Sequence, residues 1–351
     1  MRWDLFCRVV DNYGDIGVCW RLAADLAERG EQLRLWVDDS TPLTWMAPDG
    51  AAGVEVVRWT AGAAAALEPG AVVIEAFGCD PPAEFVARMA ARLRPPCWIN
   101  LEYLSAEPYV ERCHGLPSPQ AAGPGRGLRK WFYYPGFTAG SGGLIRERGL
   151  MRDRAAFDPA AWLAVHGLAP RPGERLVSLF CYPTAPLAEL LPRLAQQPTA
   201  LLLAPGAAQQ LARATPGPWP TMLRRVELPW LTQPAYDRLL WAGDLNLVRG
   251  EDSFVRAIWG GAPFVWQIYP QADGAHAAKL DAFLGRYLER AEAHLAASIR
   301  ALWQAWNGLG PWPAALPESG AWRAHARSWR DRLLTQADLG SRLLAFAAAK
   351  S

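Results

Sequence analysis

Two short blocks of this chain combine charged side chains with glycine at points where a strand runs into a helix. The first is Asp11-Asn12-Tyr13-Gly14-Asp15-Ile16-Gly17, between the apolar run Leu5–Val10 and a helical stretch from Val18 to Arg29. A strand end leading into a helix start places both carboxylates at the rim of the cleft that such a sheet faces, and Gly14 and Gly17 allow a ligand close to the backbone. Paired carboxylates there can accept a proton or grip a cation. A helix start also uses one capping side chain, and Asp11 or Asp15 suits that role. Spacing alone leaves capping and catalysis both open.

The second block is Arg249-Gly250-Glu251-Asp252-Ser253-Phe254, where the apolar Leu245–Val248 gives way to a helix. Free N–H groups and the helix dipole favour an anion at such a point, and Arg249 adds a full positive charge. A diphosphate is the natural occupant. Capping accounts for Asp252 or Ser253 but leaves Arg249 and Glu251 without a task. Aromatic residues supply a third set: Phe180 and Tyr182 close one strand, and Trp230 follows another. Their flat faces suit a base or a sugar. Core packing is the competing reading, because the chain has 18 Trp. G-x-G-x-x-G is absent, so no dinucleotide fingerprint is present.

Strands that position these groups are read at Leu33–Val37, Val72–Phe77 and Cys97–Leu101, with a helix over Pro82–Leu93 between the last two. Further strands are read at Leu176–Cys181, Ala200–Leu203, Val226–Leu228, Leu245–Val248 and Pro263–Ile268. They alternate with helices at Pro186–Leu194, Ala207–Arg213, Pro234–Trp241, Ser253–Trp259 and Ala275–Leu288. Strand–helix alternation predicts parallel sheets covered on both faces. The stretch Leu104–Gly149, rich in Pro and Gly, reads as a long loop pinned by Trp131, Phe132, Tyr133 and Tyr134. Composition shifts around Gly167–Gly173, the best linker candidate. The tail beyond Ala293 reads as helical, anchored by Trp303, Trp306, Trp322 and Trp329. The expected architecture is therefore α/β, with two Rossmann-like doubly wound domains facing a cleft and a helical C-terminal tail.

At 351 residues the chain suits two domains, and 51% hydrophobic with 20% charged residues excludes a disordered scaffold. A formal charge of +2 argues against bulk nucleic-acid or membrane binding. Lysine occurs only at 130, 279 and 350, so arginine carries nearly every positive charge. No segment reads as a secretory or membrane-spanning stretch, and the six scattered cysteines fit reduced thiols, which together predict a cytoplasmic protein. No histidine or cysteine spacing suggests a metal site, Cys113-His114 included.

Four stretches carry a resemblance: FCRVVDNYGDIGVCWRLA, INLEYLSAE, GFTAGSGGLIRER and RGEDSFVRAIWGGAPFVWQIYPQ. They resemble the EarP family, protein-arginine rhamnosyltransferases that modify bacterial elongation factor P, in the expected order over most of the chain. The resemblance implies a GT-B-like fold. An N-terminal domain, residues 1–166 joined by a C-terminal helix at about 336–351, would bind the acceptor protein. A second domain, residues 167–335, would bind the nucleotide sugar. It implies transfer of rhamnose, with inversion, from dTDP-β-L-rhamnose to an arginine of elongation factor P, activating the factor for ribosomes stalled at polyproline. No metal or other cofactor is implied, and the partners are the protein acceptor and the donor sugar.

The same resemblance implies that Asp15 is the general base, Asp11 its supporting carboxylate and Glu251 a third acidic residue of the reaction. Phe180, Tyr182, Gln233, Arg249, Asp252, Ser253 and Tyr269 fall on the nucleotide side. Trp230 stands where relatives stack a phenylalanine on thymine. The residues alone leave open which of Asp11, Asp15 and Glu251 takes the proton. Two rival classes share the α/β pattern: an NAD-dependent oxidoreductase, disfavoured by the missing glycine fingerprint, and a non-catalytic docking module using the aromatic 104–149 stretch. For the second rival, four charged residues at strand ends would be idle.

Overall fold

The computed structural model describes residues 1–9, 13–271 and 274–350. They form two compact units, one of Met1–Arg148 with the C-terminal segment from Thr335, the other Gly149–Leu334. Among the described residues the first unit holds β1 (Arg2–Cys7), β2 (Gln32–Val37), β3 (Val54–Arg58), β4 (Val72–Ala76), β5 (Cys97–Leu101), β6 (Pro117–Pro119) and β7 (Arg129–Tyr133), in the order β3-β2-β1-β4-β5-β7-β6. All neighbours run parallel except β6 against β7. Alternate residues feed two cores: Trp3, Leu5 and Cys7 of β1 enter one, and Phe6 enters the other with Trp36, Val73 and Trp98. Apolar residues on both faces of a strand are what a parallel sheet covered on both sides demands.

The strand read at Leu5–Val10 starts earlier, at Arg2, because its charged residue is satisfied inside, and it ends at Cys7; Val10 lies outside the described residues. Asp4 is fully buried and accepts from Arg34, from Trp36 Nε1 at 2.7 Å and from the Gly70 N–H at 2.6 Å. The stretch read as one long loop contains β6 and β7, and Trp131, Phe132 and Tyr133 of its aromatic cluster lie in β7, paired with β5. Arg129 and Lys130 hid that strand from hydropathy. Lys130 reaches the buried Glu75 carboxylate at 2.6 Å. Edge strand β3 also escaped notice, since most of its residues face outward.

The C-terminal helix Leu339–Lys350 packs Leu339, Leu343 and Ala347 into the core beside the helix Gly14–Glu28. Arg29 stitches them, donating to Asp25 at 2.9 Å and to Asp338 at 2.8 Å. The SGGLIRER stretch is part of this seam. Leu144 O accepts from Leu339 N–H at 2.8 Å, and Arg146 donates to the Gln336 carbonyl at 3.1 Å. That stretch therefore docks the tail.

In the second unit β8 (Arg175–Leu179), β9 (Thr199–Leu203), β10 (Leu223–Glu227), β11 (Leu245–Arg249) and β12 (Phe264–Gln267) run parallel in the order β10-β9-β8-β11-β12. Trp303 and Trp306 of helix Ala293–Trp306, and Trp322 and Trp329 of helix Ser319–Leu334, are buried, as the sequence leads one to expect. No helix among the described residues is long and apolar enough to cross a membrane.

Two outcomes test the tail seam. A Cβ at Gly340 would land on the Asp25 carboxylate and within 3.0 Å of Arg29 Nε. Gly340→Ala is therefore expected to lower the stability of the first unit by about 1–3 kcal/mol in a denaturant titration. Burial pushes the Asp25 carboxyl up from 3.8 to about 6, against the lowering pull of Arg29. The folded chain then holds this proton to higher pH than the unfolded chain. The stabilisation it brings is complete below pH 3.8 and is lost as pH rises through about 6. Asp25→Asn should flatten the pH dependence of Tm across that window relative to the unaltered chain.

Candidate active site

Because the strands of the second unit are parallel, their carboxyl ends share one edge, and the predicted nucleotide-side residues gather along it. Arg249 closes β11 with its side chain 7% exposed. Its guanidinium lies over the rings of Phe180, at 4.5 Å, and Tyr182, at 4.4 Å, both just beyond β8. Two aromatic faces hold the cation in one place at the strand end, which suits a site that receives an anion. The Tyr182 N–H donates to Gln267 Oε1 at 2.7 Å, and its ring meets Tyr269 edge-on at 5.4 Å.

The turn after Arg249 is built by Gly250, whose φ of 60° is the left-handed conformation glycine adopts without strain. Trp266 Nε1 donates to the Gly250 carbonyl at 2.8 Å. Ser253 Oγ accepts from the Arg249 N–H at 3.2 Å and donates to the Arg249 carbonyl. Ser253 thus fixes the turn that sets Arg249. Glu251 occupies the N-cap position of helix Asp252–Gly260, makes no side-chain cap bond there, and meets Lys279 at 3.1 Å.

The next helix, Gln233–Ala242, locks the first in register. Gln233 Nε2 donates to Asp252 Oδ2 at 3.4 Å. Four positions further along each helix, Arg256 donates to both oxygens of Asp237, at 2.9 and 2.6 Å, with both residues buried. Trp230 follows β10 and is 45% exposed, and Tyr269 is 48% exposed. These two aromatic faces look outward, unlike the core tryptophans.

In the first unit Asp15 lies in the first turn of helix Gly14–Glu28 and is 4% exposed. The N-cap residue is Tyr13, with no side-chain cap bond, so Asp15 is not the capping residue. Asp11 lies outside the described residues. The Cys19 thiol of the same helix lies beside Cys7 and within the field of Asp15. Burial first, then Cys7 and the charge of Asp15, pushes the Cys19 thiol well above its ordinary range, which makes it a poor nucleophile.

Three features escaped the sequence reading. Lys279 was one lysine among many candidate cations, although its rarity was a usable signal. The Asp237–Arg256 pair lay on two apparently ordinary amphipathic helices. At the carboxyl end of β4, Phe77 takes a φ of 58° and stacks on Tyr103 at 4.4 Å. Glu102, beside Tyr103, has its carboxyl pushed up by burial against the pull of the Asn100 amide, which donates to it at 2.8 Å. No group of three or more metal-ligating side chains gathers among the described residues.

The sequence pattern of the EarP family, described as elongation factor P rhamnosyltransferase, matches residues 3–348. A protein-arginine rhamnosyltransferase of Pseudomonas aeruginosa is 45% identical over 99% of this chain and 98% of its own length. One from Pseudomonas putida is 44% identical over 98% of both chains. Among solved structures, one describing the basis of EarP-mediated arginine glycosylation of translation elongation factor EF-P aligns over 100% of this chain and 99% of its own, with a TM-score of 0.66 and 33% identity. The glycosyltransferase VinC, solved with dTDP, shares the fold at a TM-score of 0.53 and 14% identity, covering 100% of both chains. The α/β, GT-B-like fold with two Rossmann-like units and a helical C-terminal segment is the one observed.

The helix register beneath this site depends on a buried pair. Asp237→Ala would strand the Arg256 guanidinium without its carboxylate, and is expected to cost about 3–5 kcal/mol in denaturant unfolding of the second unit.

Proposed function

The chain belongs to the elongation factor P rhamnosyltransferase family, and from that premise we propose that it moves L-rhamnose from dTDP-β-L-rhamnose to an arginine guanidinium of elongation factor P. The transfer inverts the anomeric centre, and the modified factor then serves ribosomes stalled at polyproline. The observation that carries the donor side is the Arg249 guanidinium held between Phe180 and Tyr182 beside the N-terminus of helix Asp252–Gly260. A fixed cation beside free helix N–H groups is a diphosphate site. Trp230 offers its exposed face to the base. Gln233, Asp252 and Tyr269 line the same edge, and Ser253 supports the turn beneath them. Six free thiols, five of them buried, suit a reducing cytoplasm.

The acceptor is the harder half of the chemistry. An arginine side chain keeps its charge at any physiological pH, so its nitrogens are poor nucleophiles. Carboxylates answer this by gripping the guanidinium fork and aligning one nitrogen with the anomeric carbon. As the N–C bond forms, a carboxylate takes the proton. Asp15 has that role, with Asp11 supporting it, and Glu251 steadies the guanidinium. As the bond from sugar to diphosphate breaks, the leaving group gains charge. Arg249 and the helix N-terminus, already fixed before the donor arrives, stabilise it without having to reorganise. In this reading no metal ion is required, and the first unit receives the acceptor protein.

The test is intact-protein mass spectrometry of elongation factor P incubated with the enzyme and dTDP-β-L-rhamnose. One deoxyhexose adduct is expected, absent without donor and absent when the acceptor arginine is replaced by lysine. Asp15→Ala and Arg249→Ala should each lower kcat by about 10²–10³ with Tm unchanged. Full turnover in either variant would remove that residue from the mechanism.

A further inference from the structure

The charges around the start of helix Asp252–Gly260 include an ammonium carried by another helix. Lys279, in the second turn of helix Ala275–Leu288, brings Nζ to 3.1 Å from Glu251 Oε1. The two side chains are 20% and 15% exposed, so the contact is largely shielded from water. The chain's lysines, at 130, 279 and 350, stand among 36 Lys+Arg. Lys130 serves the buried Glu75 and Lys350 covers the Trp131 ring at 4.0 Å. Lys279 is the one set against a residue of the candidate site.

We propose that Lys279 is a positioning residue that works through Glu251, holding that carboxylate oriented to receive the acceptor guanidinium. The proposal rests on the reading of Glu251 given above. Glu251 stands at the N-cap position without a side-chain cap bond, so the helix start does not itself orient the carboxylate. Lys279 does so from a different helix. A carboxylate fixed in one orientation can accept from a guanidinium fork through both oxygens.

The choice of lysine is chemically pointed in a chain that otherwise relies on arginine. An ammonium meets a carboxylate as a point charge, here at Oε1. An arginine at this position would present Glu251 with the same planar fork as the acceptor side chain and compete with it. A purely structural link between two helices has no such reason to avoid arginine.

A double-mutant cycle separates the two roles. Lys279→Met, Glu251→Gln and the double variant are assayed for rhamnosyl transfer to elongation factor P, with kcat, both KM values and Tm recorded. Lys279→Met is expected to lower kcat about tenfold, the scale of one charge-assisted contact, with the donor KM changed less than about twofold. In the Glu251→Gln background the same substitution should lower kcat by less than about twofold. Lys279→Gln gives a second version of the cycle should the methionine variant fold poorly. A Lys279→Met enzyme as active as the unaltered chain overturns the proposal, as does an equal loss in both backgrounds. An unaltered chain that transfers no rhamnose sinks the reaction assignment and this inference together, whereas an active chain with an additive cycle sinks the inference alone.

Discussion

A parallel sheet covered on both faces has nowhere to place an unpaired polar group except at its ends. This constraint governs both units. Their central strands β1, β4, β5, β8, β9 and β11 are buried almost along their whole length. Binding and proton-transfer chemistry is thus confined to the turns where strands hand over to helices. There, free N–H groups, glycine turns and short side chains lie together on one edge. Of the residues proposed for the site, Arg249 closes its strand, and Asp15, Phe180, Tyr182, Trp230, Glu251 and Tyr269 lie beyond carboxyl ends of strands.

Charges that do lie within the layers obey a different rule: each has its counterpart built in. Asp4 meets Arg34 and the Trp36 indole, Glu75 meets Lys130 and the Trp98 indole, and Asp237 meets Arg256 through both oxygens. Such pairs contribute little net stability but strongly disfavour any register that separates them. Arg249, almost as buried, packs its guanidinium against the rings of Phe180 and Tyr182, which hold it in place at the end of β11.

The two-unit α/β pattern was legible because apolar runs of strand length alternate with amphipathic helices, and that periodicity survives without tertiary information. So were the two charged turns, since charges clustered with glycine break the pattern where a sheet ends. What escaped depended on long-range partners. β7 looks like loop until Glu75, 55 residues away, supplies a counter-charge for Lys130. Asp237 and Arg256 read as ordinary helix surface until the helices are packed together. Even the SGGLIRER stretch, recognisable as a motif, gave no hint that it docks the tail. Whether Asp15 caps its helix was also undecidable from spacing, because a shift of two residues in the helix start exchanges the roles of Tyr13 and Asp15.

Under the proposed function, the electrostatic arrangement around Arg249 follows from what must happen to a sugar diphosphate. In the ground state the donor already carries its negative charge, so a cation that binds it equally well before and during transfer would lower KM without raising kcat. A gain in rate requires the cation and the helix N–H groups to sit where the charge increases as the sugar leaves, and to be fixed there beforehand. Ser253 closes the turn from below, Trp266 holds the Gly250 carbonyl, and Phe180 with Tyr182 confines the guanidinium from the side. A flexible lysine at position 249 would have to be ordered by each donor molecule in turn. The planar arginine between two rings has lost that freedom during folding, so the interaction is available to the transition state without further entropy loss.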